Sequence, residues 1–199
     1  MDTKARVRIV LAMVLCLAAA MFSGILLGRH HGEPWAVSTV MEQCGDGKSS
    51  GCEDVAQSDW ASFSGMPLAA LGLAFYTSLT LFGCLALFAS AGVRKALIGF
   101  LFIPGLILGL AFDLFLLMLQ AFVIHAWCPF CIATYVLGLA ALLVLLPFRG
   151  GLRRMRAELS PPEGKLALAG WALTTAAVVL AVFALNAILA GRADARAGG

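Results

Sequence analysis

Charge is scarce in this sequence: only 13% of its 199 residues are Asp, Glu, Lys or Arg, whereas 61% are hydrophobic. A soluble globular protein carries about twice that share of charged residues to cover its surface. The composition therefore excludes that class. The net charge of +3 is also small, and the basic residues are scattered at the ends of apolar runs, so we expect no nucleic-acid interface.

The long apolar runs reach about 20 residues, the length that spans a bilayer. They predict spans at residues 7–28, 67–91, 96–124, 129–148 and 166–190, with Pro104 kinking the third. The first run could instead be a secretory signal cleaved near Ala18–Ala20, but its length favours an uncleaved helix. The predicted fold is an all-α polytopic membrane protein, a four-helix bundle plus a fifth transmembrane helix.

The Lys and Arg residues predict the orientation of these spans. With the N-terminus inside, four of the fourteen lie outside, namely Arg29, Lys48, Arg192 and Arg196. The other ten lie inside: Lys4, Arg6, Arg8, Arg94, Lys95, Arg149, Arg153, Arg154, Arg156 and Lys165. The predicted organisation is a core at 1–148 with an outer loop at 29–64, a cytoplasmic basic linker at 149–165, the fifth helix at 166–190 and an outer tail at 191–199.

Four of the six cysteines lie at or beyond the ends of the apolar runs and map to the outer side: Cys44, Cys52, Cys128 and Cys131. In a bacterium that side is the periplasm, where disulfides persist. The remaining two, Cys16 and Cys84, are expected to be small buried apolar residues. The outer four therefore suggest two pairs.

Cys128 and Cys131 have the C-x-x-C spacing of redox-active thiols. If the fourth helix begins at Pro129, Cys128 is its N-cap, where the helix dipole favours a thiolate. A structural zinc site with Cys44 and Cys52, or inert thiols, are the alternatives. Glycines between Cys44 and Cys52 predict a mobile pair that exchanges electrons, although a fixed disulfide that staples the loop is also consistent with the sequence.

A membrane thiol pair needs an acceptor for its electrons, and a quinone is the one that a bilayer offers. The candidate quinone-binding residues are the aromatic and polar residues near the cysteines and in the third span: Phe63, Phe122, His125, Tyr135 and Asp113. Aromatic residues also gather at membrane interfaces for anchoring alone. Asp113 inside a span indicates a functional site or a hydrogen bond to a neighbouring helix, and Gln120 on roughly the same face has similar standing.

Several spacings occur together. Cys44 and Cys52 are eight positions apart, and Ser58 follows six residues after Cys52. Phe63-Ser64-Gly65-Met66-Pro67 is followed by Gly72 and Tyr76, and Trp127-Cys128-Pro129-Phe130-Cys131 is followed by Tyr135. Over about residues 8–148 this pattern resembles the vitamin K epoxide reductase family in its bacterial form.

The resemblance implies an electron path from the periplasm to a quinone in the inner membrane of a bacterium. A periplasmic thioredoxin-like protein would attack the Cys44–Cys52 disulfide at Cys44, Cys52 would exchange with Cys128, and Cys131 would face a ubiquinone or menaquinone. Ser58 would close the site by hydrogen bonding near the quinone. No metal is implied.

Two features depart from the family. The only asparagine is Asn186, in the fifth helix, whereas the animal enzymes have one in the second span, so epoxide reduction is disfavoured. Many bacterial members also continue into a fused thioredoxin-like domain, and we expect a separate partner here. Alternatives are the other bacterial quinone-linked thiol oxidase family, whose C-x-x-C normally lies in the first outer loop, a cysteine-pair metal carrier, and a scaffold with two structural disulfides.

Overall fold

The computed structural model describes residues 3–44, 51–63, 65–148 and 162–197. The glycines at positions 45 and 47 and the basic linker residues 149–161 lie outside these segments, so the predictions made for them are not addressed. The described chain forms helices α1 (Thr3–His30), α2 (Pro34–Cys44), α3 (Gly51–Gln57), α4 (Leu68–Phe88), α5 (Ala91–Leu97), α6 (Ile103–Leu119), α7 (Pro129–Leu145) and α8 (Pro162–Ala197). A 3₁₀ turn (Asp59–Ala61) and a two-stranded hairpin, β1 (Ser62–Phe63) with β2 (Met66–Pro67), precede α4.

Five described helices are long and apolar enough to cross a membrane: Thr3–His30, Leu68–Phe88, Ile98–Ile124, Pro129–Phe148 and Gly164–Arg196. They coincide with the five predicted spans, which confirms an all-α polytopic membrane protein. The number of spans could be read from composition because a helix satisfies all of its backbone hydrogen bonds internally, as lipid requires.

The third span contains two π-helical turns, Ile98–Phe102 and Gln120–Ile124, on either side of α6. The first turn ends two residues before Pro104, whose missing N–H cannot complete a regular α-helical ladder. The second ends at His125, which has a left-handed backbone (φ 55°). This residue turns the chain out of the span and directs it towards Cys128.

The outer segment between the first two spans contains more helix than we predicted. Residues 54–63 are better helix formers than the glycine-containing residues before them, which predicts a helix there, but α3 begins at Gly51 and ends at Gln57. Phe63 lies in β1 instead, paired with Met66. Gly65 has a positive φ of 80°, which a hairpin turn requires and glycine supplies without strain.

Helix α1 lies at the centre of the bundle and packs against both α4 and α7. The middle of its buried face contains the small side chains Ala12, Cys16, Ala19 and Ala20, which allow helices in a membrane to approach closely. Cys16 is fully buried, as predicted. Cys84 is only partly buried, so the expectation of a buried residue was wrong for it.

Helix α8 extends beyond the predicted span of 166–190 in both directions, and residues 191–197 are helical rather than a separate tail. Its Val178 and Val182 pack in a cluster with residues of α1 and α4. Near its end, Arg196 forms an ion pair of 2.7 Å with Glu33, between α1 and α2. The C-terminal end of α8 therefore lies at the same end of the bundle as the α1–α2 turn.

Candidate active site

The outer cysteine pair joins two short helices. Cys44 is the last residue of α2, and Cys52 is the second residue of α3. The two form a disulfide with a Cα–Cα distance of 6.2 Å. An ion pair between Arg29 and Glu53 also connects α3 to the end of α1.

The inner pair lies at the start of α7. Cys128 is the N-cap residue, with Pro129 at the first helical position, and Cys131 is in the first turn. Both are free thiols. The Cys131 thiol and the backbone N–H groups of Cys131 and Phe130 donate hydrogen bonds to the Cys128 sulfur and lower the pKa of Cys128, although burial opposes this. Cys128 therefore carries the more stabilised thiolate of an activated pair.

Gln120 supports the inner pair from the third span. Its side chain is 2% exposed, and its Oε1 accepts a hydrogen bond of 2.9 Å from the backbone N–H of Cys128. Its backbone oxygen accepts from the N–H groups of Ala126 and His125. One buried residue thus fixes the segment that presents Cys128.

The two pairs meet through Cys52 and Cys128, whose sulfur atoms are 3.9 Å apart. Both residues are buried, at 4% and 1% exposure. A T-shaped contact between Phe22 and Phe130 lies in the same cluster. The sulfurs are in van der Waals contact without a bond, which is the arrangement that thiol–disulfide exchange needs.

A cavity lies beside this contact. Its lining residues come from α1, α3, α4, α6 and α7 and include Cys52, Cys128 and Cys131. The volume is about 140 Å³, similar to the ~150 Å³ engineered cavity that holds benzene. Most of the wall is apolar, with leucines from the α6 side. The cavity therefore suits a single ring with apolar faces.

Tyr76 and Asp113 form a polar pair in the wall of this cavity. The Tyr76 hydroxyl donates to Asp113 Oδ2 at 2.9 Å and connects α4 to α6. A Cβ on Gly138 of α7 would lie 2.9 Å from the same hydroxyl, so glycine there leaves room for the phenol. The pair places a carboxyl group in the wall that also contains Cys131.

A sequence model of the vitamin K epoxide reductase family matches residues 10–146. The match covers well over half of the 199 residues and includes both cysteine pairs and the cavity wall up to α7. The chain belongs to the vitamin K epoxide reductase family. No curated protein sequence matches it. Membership makes the protein a multi-pass membrane oxidoreductase of a family that acts between thiols and quinones.

Against this family site, the residues that we predicted divide into two groups. Ser58 and Asp113 line the cavity with three of the cysteines. The Ser58 hydroxyl donates to the Val55 carbonyl at 2.8 Å, at the end of α3. Asp113 hydrogen-bonds to a neighbouring helix, as one of the two interpretations predicted, and it also lines the cavity.

The four predicted ring residues do not line the cavity. Phe63 and Phe122 are 70% and 72% exposed, and His125 is also exposed, as expected of side chains that face lipid or the interface. Tyr135 is four positions after Cys131, whereas the next residue of α7 that lines the cavity is Thr134, three positions after Cys131. Residues three and four positions along a helix point in different directions around its axis, and the cavity lies in the direction of Thr134.

The site also contains two residues that were not among the quinone-binding candidates. Tyr76 was noted only as part of the family pattern, and Gln120 as a polar residue inside a span with the same standing as Asp113. The sequence feature that could have identified both residues is a polar group inside an apolar span, which in a membrane indicates function. Within the described segments no group of three or more His, Cys, Asp or Glu residues could hold a metal ion.

Proposed function

We propose that this protein is a thiol:quinone oxidoreductase that reoxidises a thioredoxin-like thiol protein and thereby supports disulfide formation. The observation that carries the proposal is the 3.9 Å contact between the Cys52 and Cys128 sulfurs beside a ring-sized cavity that Cys131 lines. An outer disulfide and an inner dithiol in this contact are the two halves of an exchange relay.

The relay moves two electrons at each exchange. The partner's thiolate attacks Cys44, and the partner leaves as a disulfide while Cys44 and Cys52 become thiols. Cys52 then attacks Cys128 of an oxidised inner pair and releases Cys131 as a thiolate. Attack of Cys44 on Cys52 frees Cys128, so the outer disulfide is restored and the inner pair holds both electrons.

The inner pair is discharged into a quinone ring held in the cavity. Cys131 delivers the electron pair, Cys128 attacks Cys131 to form the inner disulfide, and the ring takes up two protons. Asp113 lies in the same wall, which positions a carboxyl group to pass a proton to a ring oxygen. The apolar wall excludes water from the reduced ring and orients its face.

We infer that the cysteines are on the periplasmic side of a bacterial inner membrane. The distribution of Lys and Arg supports this orientation. The contact of Arg196 with Glu33 is also consistent with five crossings, because it joins the end of α8 to the end of the bundle that holds the cysteines. Disulfide exchange at this end fits an oxidising compartment.

Thiol trapping in membranes tests the proposal. Cells are quenched in acid, free thiols are alkylated with a mass-shifting maleimide, and the four redox cysteines are compared with and without quinone biosynthesis. We expect the inner pair to become reduced when quinone is removed and to reoxidise when a soluble quinone is added. Four oxidised cysteines irrespective of quinone would support a scaffold, and a stoichiometric metal that blocks alkylation would support a carrier.

A further inference from the structure

Gly51 lies where the two cysteine pairs meet. It is the first residue of α3 and precedes Cys52, whereas Trp127 precedes Cys128. A Cβ added to Gly51 would lie 2.2 Å from the carbonyl oxygen of Trp127, and 2.8 and 2.9 Å from its nitrogen and carbonyl carbon. The α3 backbone therefore rests directly on the backbone of residue 127.

Other tightly packed glycines differ from Gly51 in what they touch. A Cβ on Gly83 would meet the Met13 side chain, and one on Gly109 would meet the Phe75 ring. The nearest atoms to an added Cβ also belong to side chains at Gly28, Gly72 and Gly138, whereas at Gly51 they belong to the main chain. A side chain can rotate away from such a clash, but a backbone has to move as a unit.

The backbone that faces Gly51 is held from two sides. Ala126 N–H donates to the Gln120 carbonyl at 3.1 Å, and Cys128 N–H donates to the Gln120 side chain at 2.9 Å. Residue 127 lies between these two bonds. Since the Trp127 segment is fixed, α3 would have to shift if residue 51 had a side chain.

Helix formation does not explain a glycine at this position. Glycine costs about 0.5–1 kcal/mol relative to alanine within a helix because it loses more conformational freedom. Gly51 was predicted to supply mobility to a loop, but it is the first residue of a helix and faces a fixed backbone. The close approach is therefore the physical reason for glycine here.

We propose that Gly51 is a positioning residue for thiol–disulfide exchange: its missing side chain lets α3 rest on Trp127 and brings Cys52 within reach of Cys128. This inference rests on the proposed relay. With a side chain at residue 51, an ordinary van der Waals distance to Trp127 would require Cys52 to move away from Cys128 by about 1 Å. A displacement of that size can slow a reaction that depends on alignment by roughly 100-fold.

The test measures exchange directly in a Cys131→Ala background, without quinone or partner. Cys128 thiolate attacks Cys52 of the outer disulfide, a Cys52–Cys128 bond forms, and Cys44 is released as a thiol, which a maleimide caps when samples are quenched at successive times. Linked peptides are then quantified by mass spectrometry.

Gly51→Ala should slow the appearance of the linked peptides by at least about 10-fold and Gly51→Val by about 100-fold. Gly170→Ala, with nothing within 4 Å of its Cβ, should stay within two-fold.

A second measurement separates positioning from folding. In a Cys44→Ala/Cys52→Ala background, dithiothreitol reduces the inner pair directly, so quinone reduction bypasses α3. Adding Gly51→Ala there should change the rate by less than two-fold. Unchanged exchange in both Gly51 variants, or an equal loss in the bypass assay, would overturn the proposal. Failure of the unsubstituted chain to reduce quinone would overturn the proposed function, whereas the exchange assay would still test Gly51.

Discussion

The two cysteine pairs differ in how the molecule holds them. The outer pair connects the end of one short helix to the start of another and contains the disulfide. The inner pair occupies the N-terminus of a membrane-spanning helix, where Gln120 and backbone N–H groups bond to it. One pair is attached to small elements outside the bundle, and the other is built into the bundle.

This difference suits two tasks. In the proposed relay, a soluble partner would reach the outer pair at Cys44, which is partly exposed at the end of α2, while Cys52 stays buried against Cys128. A fixed pair keeps its sulfur aligned with the ring-sized cavity, where alignment determines the rate. The comparison predicts that outer substitutions impair delivery of electrons, whereas inner substitutions impair their use.

The largest expected effect comes from removing one cysteine of each pair. Cys52→Ala and Cys131→Ala should each lower partner-driven quinone reduction by roughly 1000-fold, because a relay with a missing sulfur cannot complete its exchange. Dithiothreitol should restore activity to Cys52→Ala but not to Cys131→Ala. Quinone absorbance measures both rates.

Two controls belong to this experiment. Cys16→Ala and Cys84→Ala, which change the cysteines inside the spans, should retain activity. Peptide mapping of Cys131→Ala should recover a Cys52–Cys128 disulfide. Recovery of only Cys44–Cys52 would contradict the relay order, and rescue of Cys131→Ala by dithiothreitol would mean that Cys131 does not face the quinone.

The placement of the inner cysteines could be predicted because residue type and span length decide it. A C-x-x-C at the start of an apolar run predicts Cys128 at the N-cap and Cys131 in the first turn, and both are found there. The spans follow from the cost of unpaired backbone groups in lipid. These properties are local, and neighbouring helices do not alter them.

The cavity wall could not be predicted, because it depends on helix rotation and on elements distant in sequence. Phe122 and Tyr135 are near the cysteines in the chain, yet the wall contains Tyr76 from α4 and Thr134 instead. Aromatic residues at a membrane interface give no indication of which of them turn inward. The contact of Gly51 with residue 127 likewise joins segments that are 76 positions apart.

The next largest effect should come from the polar pair in the cavity wall. Asp113→Asn removes the carboxyl group that we place in proton transfer, and it should lower dithiothreitol-driven quinone reduction by about 100-fold, in the range of general acid catalysis. Tyr76→Phe should have a smaller effect because the carboxyl group stays. Stopped-flow absorbance under single-turnover conditions isolates this step.

Asp194→Asn, near the end of α8, is the matched control and should leave the rate unchanged. Because we place Asp113 in proton transfer to the quinone, exchange between Cys52 and Cys128 should also be unchanged. A normal rate of quinone reduction in Asp113→Asn would show that this carboxyl group only links α4 to α6.

The pKa of Cys128 offers a comparison within the inner pair. Hydrogen bonds from Cys131 lower this pKa, so the Cys128 thiolate forms at a lower pH than an ordinary thiolate. In chains where Cys128 is the only remaining cysteine, Cys131→Ser keeps a hydroxyl donor and Cys131→Ala removes it. The midpoint of the rate–pH profile for a small thiosulfonate should be higher in Cys131→Ala by about one pH unit. Equal midpoints would show that the side-chain donor does not stabilise the thiolate.

The smallest expected effect concerns the attachment of the outer pair to α8. Arg196 bonds to Glu33 and to the Gly32 carbonyl, next to the start of the helix that ends at Cys44. Arg196 is partly exposed, so Arg196→Ala should lower the melting temperature in detergent by no more than about 4 °C, and Arg192→Ala should not change it. Glu33→Ala should add little to Arg196→Ala, since their shared ion pair is already lost. If the Arg196–Glu33 ion pair serves the outer pair, partner-driven quinone reduction should fall slightly in Arg196→Ala while dithiothreitol-driven quinone reduction stays constant. An equal fall in both rates would mean that the ion pair stabilises the bundle as a whole.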